Sequence, residues 1–437
     1  MKKLFILSLD GTPYSFLRKA MASGLMPNFK LLAEESQFSQ MDSVIPPLSS
    51  SAWASFATGK NPAEHGIMGF TEREPAALNW YVPNAGRLKA QTLWQKLSDT
   101  GKKVFVMNVP LTYPPAKING IMISGFLAPD LNAAAYPKEI GTLLKAHGYI
   151  IDADTELAKK DLSAFFAHLN DVLDRRTETM MHFLKTGHWD FFMTHIMETD
   201  RLHHFFWEYM ENGIEPYTSM FYDFYSKIDQ QIKRVLASLP ADTAIMMLSD
   251  HGFTVLRKEV YLNRWLGQSG LLGFISGSPT SLKDMHPGST AYSLYPGRIY
   301  LNVYGREKHG WIKAGLEYEQ KRAEIRKALL DWKDDNGQKI IKKIYTMNEL
   351  YGRKASAPNG QEIFEPHPWL PDLIAVSIDG FDLKGNISSD KLFNKTVFNG
   401  MHTFNDAFVL GRGINLPDGR IFIDMLFNSI LSFFSPA

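Results

Sequence analysis

The sequence predicts an α/β protein with a doubly wound, mostly parallel central sheet, helices on both faces and an α+β insertion. Continuous apolar runs of strand length recur at 3–9 (KLFILSL), 103–108 (KVFVMN), 190–197 (DFFMTHIM) and 243–248 (TAIMML). Such runs are the pattern of strands buried on both faces. Helical stretches separate them, and strands alternating with helices at this spacing imply parallel crossovers. Two of the runs end in polar residues, Asp10-Gly11 and Ser249-Asp250-His251-Gly252. The carboxyl ends of central strands are where open α/β sheets bind ligands.

The elements follow in order. Lys2 and Lys3 before an apolar run give the N-terminus the look of a signal peptide. The run spans only Leu4 to Leu9 and meets Asp10 with no small-residue cleavage site, so it reads as the first buried strand. Helical patterns occupy 13–23 and 27–35, and Gln37 to Val44 returns as a strand. From Ile45 to Gly66 the chain reads IPPLSSSAWASFATGKNPAEHG: two prolines, three serines and a short helix closed by Gly59 and Pro62. Leu93 to Ser98 is helical, Ile121 to Ser124 is a short strand, and 155–185 is long and amphipathic. Asp200 to Glu211 and Phe221 to Leu239 are helices flanking the later strands. From Phe253 to about Pro371 turn residues mix with short strands, such as Arg298 to Val303, and one charged helix at Glu317 to Trp332. This is the insertion. Asp372 to Ile378 and Ala407 to Gly411 restore strand patterns, and Phe422 to Phe434 is a closing apolar helix.

Composition bounds the function. The 437 residues are 45% hydrophobic and 21% charged, ordinary for a soluble globular protein with a substantial core. A net charge of +1, with no basic run, argues against a nucleic-acid polymer as partner. With no cysteine, disulfides and thiolate ligands are excluded, and any metal must be held by His, Asp and Glu. No run reaches the length of a membrane-spanning helix, and the expected location is the cytoplasm.

Several residues could do chemistry. A hydroxyl at a helix start sits beside unpaired N–H groups and the positive end of the dipole, which draws anions; the plain alternative is an N-cap. On this ground Ser49, Ser50 and Ser51 are equivalent. Asp200 and His204 lie four apart on one helix face and could chelate a cation. His203 competes with His204, about a hundred degrees away around the helix. Asp250 and His251 form a second pair, where Gly252 permits a sharp turn. Asp10 stands at a strand end, and His402 and His65 could each be ligand or structure. Three Asp and three His suffice for two divalent ions, with a hydroxyl between them, to stabilise in-line displacement at phosphorus.

Read together, the fragments resemble the alkaline phosphatase superfamily, in its type I phosphodiesterase/nucleotide pyrophosphatase branch. In order they are Asp10, Ser49 ahead of Thr58-Gly59, Asn61-Pro62-Ala63-Glu64-His65-Gly66, Asp200 to His204, Ser249 to Gly252, and Gly400-Met401-His402. The resemblance implies an alkaline-phosphatase-like fold, with Ser49 as the nucleophile that becomes transiently phosphorylated. It implies one metal held by Asp10, Asp250 and His251 and touching Ser49, and another held by Asp200, His204 and His402. It leaves His65 as a supporting residue. Because these positions run from 10 to 402, it also implies one catalytic domain in two parts, 1–252 and 372–437, interrupted by a cap-like insertion at 253–371. One position departs from the branch: where many members place a phosphate-binding Asn, this chain has Phe70, and Arg73 is the expected substitute contact.

The function implied is a two-metal phosphoester hydrolase, a phosphodiesterase or nucleotide pyrophosphatase, with zinc or else manganese and a small, nucleotide-like phosphoester as substrate. A phosphomonoesterase or phosphomutase on the same site, and a non-catalytic binding protein on this fold, are the alternatives. Trp53, Tyr81, Trp207 and Tyr292 could stack a base or sugar, although aromatics at such spacings more often fill cores. The oligomeric state is not legible.

Overall fold

A computed structural model describes residues 2–352 and 365–435. The chain divides into two compact units: Met1–Ile67, Asn84–Val255 and Val397–Ala437 form the first, and Met68–Pro83 with Leu256–Thr396 form the second.

The first unit is built on a nine-stranded sheet. Its middle is five parallel strands in the spatial order Ala244–Leu248, Leu4–Leu9, Phe191–Ile196, Val104–Met107 and Gly120–Ile123. Ala407–Arg412 runs antiparallel beside Ala244–Leu248 and beside Gln37–Asp42. The expected mostly parallel sheet is therefore observed, with the late strand entering in reverse.

Alternation along the strands separates two apolar layers, because successive side chains leave a strand on opposite faces. Phe5, Leu7, Leu9, Phe105 and Phe192 meet the helices Leu162–Thr186, Glu198–Asn212 and Tyr217–Leu236. Leu4, Ile6, Val106, Met193 and Met246 meet Ser49–Thr58, Leu93–Asp99 and Leu426–Phe434. The two helices that carry Ser49 and Asp200 thus lie on opposite faces and converge at one sheet edge. The long amphipathic stretch is two helices rather than one. Asp161 stops Thr155–Ala158 and caps Leu162–Thr186 by accepting from the Ser163 and Ala164 N–H groups. Among the described residues no helix is long and apolar enough to cross a membrane.

The second unit holds a four-stranded antiparallel sheet of Ala291–Leu294, Arg298–Leu301, Leu373–Ser377 and Ile341–Tyr345, packed on the helix Leu316–Asp331. This corrects the sequence-based boundaries. Leu373–Ser377 pairs with Arg298–Leu301 instead of rejoining the central sheet, so the unit extends to Thr396. It also includes Met68–Pro83, whose hairpin Glu72–Glu74/Asn79–Tyr81 is tied in by buried ion pairs Arg298–Glu72 (3.1 Å) and Arg73–Glu307 (2.5 Å). A strand pattern predicts a strand, not its sheet. Tyr292 is buried in this unit's core and Tyr81 is half-buried in the hairpin.

Phe192 is fully buried and stacks on Phe105 at 4.1 Å between centroids, and on Phe5 at 5.6 Å. Phe192→Ala is expected to cost about 3–5 kcal/mol of stability, read as a lower denaturation midpoint at unchanged m-value.

Candidate metal centre

Asp10 stands one residue past the Leu4–Leu9 strand, and Asp250 and His251 follow the neighbouring strand Ala244–Leu248. Gly11 makes the turn: its φ is +65°, and its N–H donates to Asp250 Oδ1 at 3.0 Å. A side chain there would meet Phe253 at 2.9 Å and His251 at 3.2 Å. Asp200 occupies the first turn of Glu198–Asn212, and His204 lies one turn on. His402 arrives from far along the chain on Gly400–Thr403, which pairs antiparallel with Gly252–Val255 and sets His402 opposite Phe253. The His402 and His251 rings then stack at 3.7 Å. Gly400 is required there because a Cβ would lie 2.3 Å from the His203 carbonyl oxygen.

Ser49 is the first residue of its helix, not the cap. Leu48 holds the cap position with no side-chain cap bond. The first-turn N–H groups are therefore left without the usual hydroxyl or carboxylate partner. Ser49 Oγ lies 3.3 Å from Asp10 Oδ1 and 3.2 Å from His251 Nε2. Ser50 and Ser51 are buried and turned elsewhere, their hydroxyls unpaired among the described residues.

The three imidazoles share one arrangement. Nδ1 of His251 faces the Gly252 carbonyl (3.1 Å), Nδ1 of His204 the Gly400 carbonyl (3.1 Å), and Nδ1 of His402 the Pro47 carbonyl (2.9 Å). A carbonyl only accepts, so each Nδ1 carries the proton and donates. Each Nε2 then presents a lone pair in the neutral ring, which is the tautomer a metal takes. These lone pairs face one another and the carboxylates. His402 Nε2 lies 3.1 Å from His204 Nε2 and 3.2 Å from Asp200 Oδ1, and His251 Nε2 lies 3.3 Å from Asp250 Oδ2.

Asp250 Oδ2 is buried with no hydrogen-bond partner among the described residues. Carboxylate oxygens and ring nitrogens gathered this closely repel where no cation lies among them. The residues fit two sets of ligands, Asp200/His204/His402 and Asp10/Asp200/His251, with Asp250 adjoining the second. Hard carboxylates with imidazoles suit zinc or manganese.

Electrostatics agree. Burial lowers His251 to about 3 and His204 to about 4, so both are neutral near pH 7. Burial works to raise the Asp200 carboxyl, but His204 and His402 prevail and hold it well below the ordinary range. The Asp200 carboxylate overcomes burial and raises His402, which favours a proton on its Nε2 toward Asp200 Oδ1 in the metal-free protein; that proton must leave before the nitrogen can ligate. Burial and the adjacent Asp10 carboxylate push Asp250 well above its ordinary value.

His203 is not in the cluster. Its Nδ1 faces the Gly11 carbonyl at 3.1 Å and its Nε2 meets the Tyr225 hydroxyl at 2.6 Å. His65 supports the serine helix, 2.9 Å from Ser55 Oγ. Phe70 is half-buried and belongs to the second unit. Arg73 is buried there, bound to Glu307 and to the Tyr292 hydroxyl at 2.8 Å, which argues against the expected phosphate contact. Trp207 packs against His203 in the apolar layer. Trp53 is fully buried, so it stacks no ligand; its indole N–H donates to Asp10 Oδ2 at 3.0 Å.

Sequence reasoning missed His195. Its Nε2 lies 3.0 Å from Asp10 Oδ2 and its Nδ1 lies 2.9 Å from Ser8 Oγ. The one signal was an imidazole in a fully buried, largely apolar strand, FFMTHI. Arg201 was missed too; it donates to Asp200 Oδ2 at 3.1 Å and to Asp152.

A family model described as type I phosphodiesterase/nucleotide pyrophosphatase matches residues 4–405. Among solved structures, phosphonoacetate hydrolase from Sinorhizobium meliloti in complex with phosphonoformate is 18% identical, with a TM-score of 0.66 and coverage of 99% of this chain and 96% of that one. An inactive murine ectonucleotide pyrophosphatase/phosphodiesterase 5 in complex with AMP is 13% identical, with a TM-score of 0.57 and coverage of 99% and 95%. The human counterpart is 13% identical, with a TM-score of 0.56 and coverage of 99% and 94%. No curated protein sequence matches the chain.

Cation binding should release protons. Asp250 is raised in the metal-free protein and must ionise to ligate, so apparent affinity for a divalent cation should rise with pH and fall as pH drops through that group's titration. Calorimetry in buffers of differing ionisation enthalpy measures the proton count. His402→Ala should roughly halve the divalent cation held per chain by elemental analysis, because it opens only the Asp200/His204/His402 set.

Proposed function

Because the chain belongs to the type I phosphodiesterase/nucleotide pyrophosphatase family of the alkaline phosphatase superfamily, we propose that this phosphohydrolase is a two-cation phosphodiesterase working through Ser49. The observation that carries the reading is the ring of Nε2 lone pairs and carboxylate oxygens around one buried space, with the Ser49 hydroxyl on its rim. Divalent cations bound there, zinc foremost, would offset the charge on the attacking and leaving oxygens.

The chain's own residues do the rest. Ser49 Oγ, held between Asp10 and His251, is the atom that attacks phosphorus in line. Its proton leaves toward the acceptor-lined space, and the alcohol departs from the opposite side of phosphorus. Water then cleaves the phosphoserine and restores the hydroxyl. The N–H groups of the first helical turn, free of a side-chain cap, face the phosphoryl oxygens as an anion site. His195 and Trp53 both approach Asp10 Oδ2, which keeps Oδ1 turned toward Ser49.

The proposed substrate is a small phosphodiester or nucleotide-like phosphoester, in line with the AMP complex of the murine relative. A phosphonate is the second reading, because phosphonoacetate hydrolase has the higher TM-score. The discriminating measurement is turnover of bis-p-nitrophenyl phosphate, p-nitrophenyl phosphate and phosphonoacetate, with zinc and separately with manganese. Preference for the diester is expected. Preference for the monoester would make the enzyme a phosphatase or mutase, and release of phosphate from phosphonoacetate would favour the second reading. Ser49→Ala should lower kcat about a thousandfold or more while zinc content holds; activity surviving it would remove Ser49 from the mechanism.

A further inference from the structure

Arg201 follows the ligand Asp200 in the helix, and its guanidinium is held on three sides. Nε and Nη2 donate to Asp152 at 3.1 and 2.6 Å, Nη1 donates to Asp200 Oδ2 at 3.1 Å, and the guanidinium lies over the Phe126 ring at 4.8 Å. A guanidinium carries five N–H donors. These three bonds leave one N–H on each terminal nitrogen with no partner among the described residues.

The position is at the open side of the cluster. The Arg201 side chain keeps 14% exposure and His204 20%, whereas Asp10, Asp250 and His251 keep none. Asp200 Oδ1 faces His204 and His402 while its Oδ2 faces Arg201. The cationic head therefore sits one carboxylate's width from the ligand atoms; having no lone pair it cannot itself ligate, but it stands beside whatever group is bound there. Leu127, next to Phe126, is exposed at a φ of +73°, a conformation that costs an ordinary residue energy and is found where surroundings impose it.

A salt bridge to Asp152 alone would not require the aromatic shelf, the second carboxylate or the two unused donors. A planar fork, fixed in orientation with two N–H groups left over, matches an oxyanion. We propose that Arg201 is a specificity-determining residue that binds an anionic group, phosphate or carboxylate, carried next to the reacting phosphorus. The proposal rests on the phosphoester reading above and names the part of the substrate which that reading leaves open. Asp152 and Phe126 hold the fork in place, and Asp200 couples it to the centre.

The test is calorimetric titration of the zinc-loaded full chain with orthophosphate, pyrophosphate and phosphonoformate, in the wild type, Arg201→Met and Arg201→Lys. The wild type should bind at least one of the two extended anions more tightly than orthophosphate. Arg201→Met should weaken that anion about tenfold or more and orthophosphate less than about threefold. Arg201→Lys, which keeps the charge and loses the fork, should fall between, and it carries the test alone if the Met variant does not fold. Selective loss of pyrophosphate assigns the group as phosphate, and selective loss of phosphonoformate assigns it as carboxylate. Equal weakening of all three anions together with reduced zinc content would show that Arg201 only holds Asp200, and would overturn the proposal. So would a wild type that binds neither extended anion more tightly than orthophosphate. Failure of the phosphoester reading has a different signature: no turnover of any ester, with these binding ratios intact.

Discussion

Everything at the centre of this molecule depends on a repulsion. Asp10, Asp200 and Asp250 are buried together, and three imidazoles turn their Nε2 atoms toward them because carbonyl oxygens have claimed the Nδ1–H groups. Acceptors this close lower the stability of the fold unless positive charge is placed among them. Burial and Asp10 drive the Asp250 carboxyl up, while His204 and His402 hold Asp200 down against its burial.

The scaffold can hold that repulsion because the pieces come from unlike elements. Asp10, Asp250 and His251 hang from two parallel neighbours whose register is fixed by hydrogen bonds. Asp200 and His204 sit on a helix on one face, Ser49 on a helix on the other, and His402 on an antiparallel ribbon. Around them lies a layer of buried orienting contacts: His195 Nε2 close to Asp10, the Trp53 N–H on Asp10, Arg201 on Asp200, and carbonyls on each His. Behind Asp200 the fully buried pair Arg176–Glu198, at 2.6 Å, anchors the helix start. Such outer partners fix the direction of the ligands they touch.

Much of this was legible because the signals are local. Continuous apolar runs mark central strands, and the spacing of Asp200 and His204 places both on one helix face before any coordinates exist. His203 and His204 could not be separated by spacing; the Tyr225 hydroxyl and the Gly11 carbonyl claim His203 and leave His204 to the cluster. The expectation for Arg73 meets a similar constraint. A basic residue near a motif looks available until Glu307, more than two hundred positions later, takes its charge in a buried pair. Leu373–Ser377 has the pattern of a core strand and is one, but of the second unit's sheet, because an apolar run does not encode its partner.

The sequence alone determined the α/β class, the order of the strands along the chain, the absence of thiolate chemistry and the identity of the groups able to bind cations. Those follow from residue type and short-range periodicity. Only the tertiary structure decided which oxygen of each carboxylate is free, which nitrogen of each imidazole carries the proton, and that His195 and Arg201 stand behind Asp10 and Asp200. These depend on bonds between residues as far apart as Pro47 and His402, and such pairings exist only once the sheet has closed.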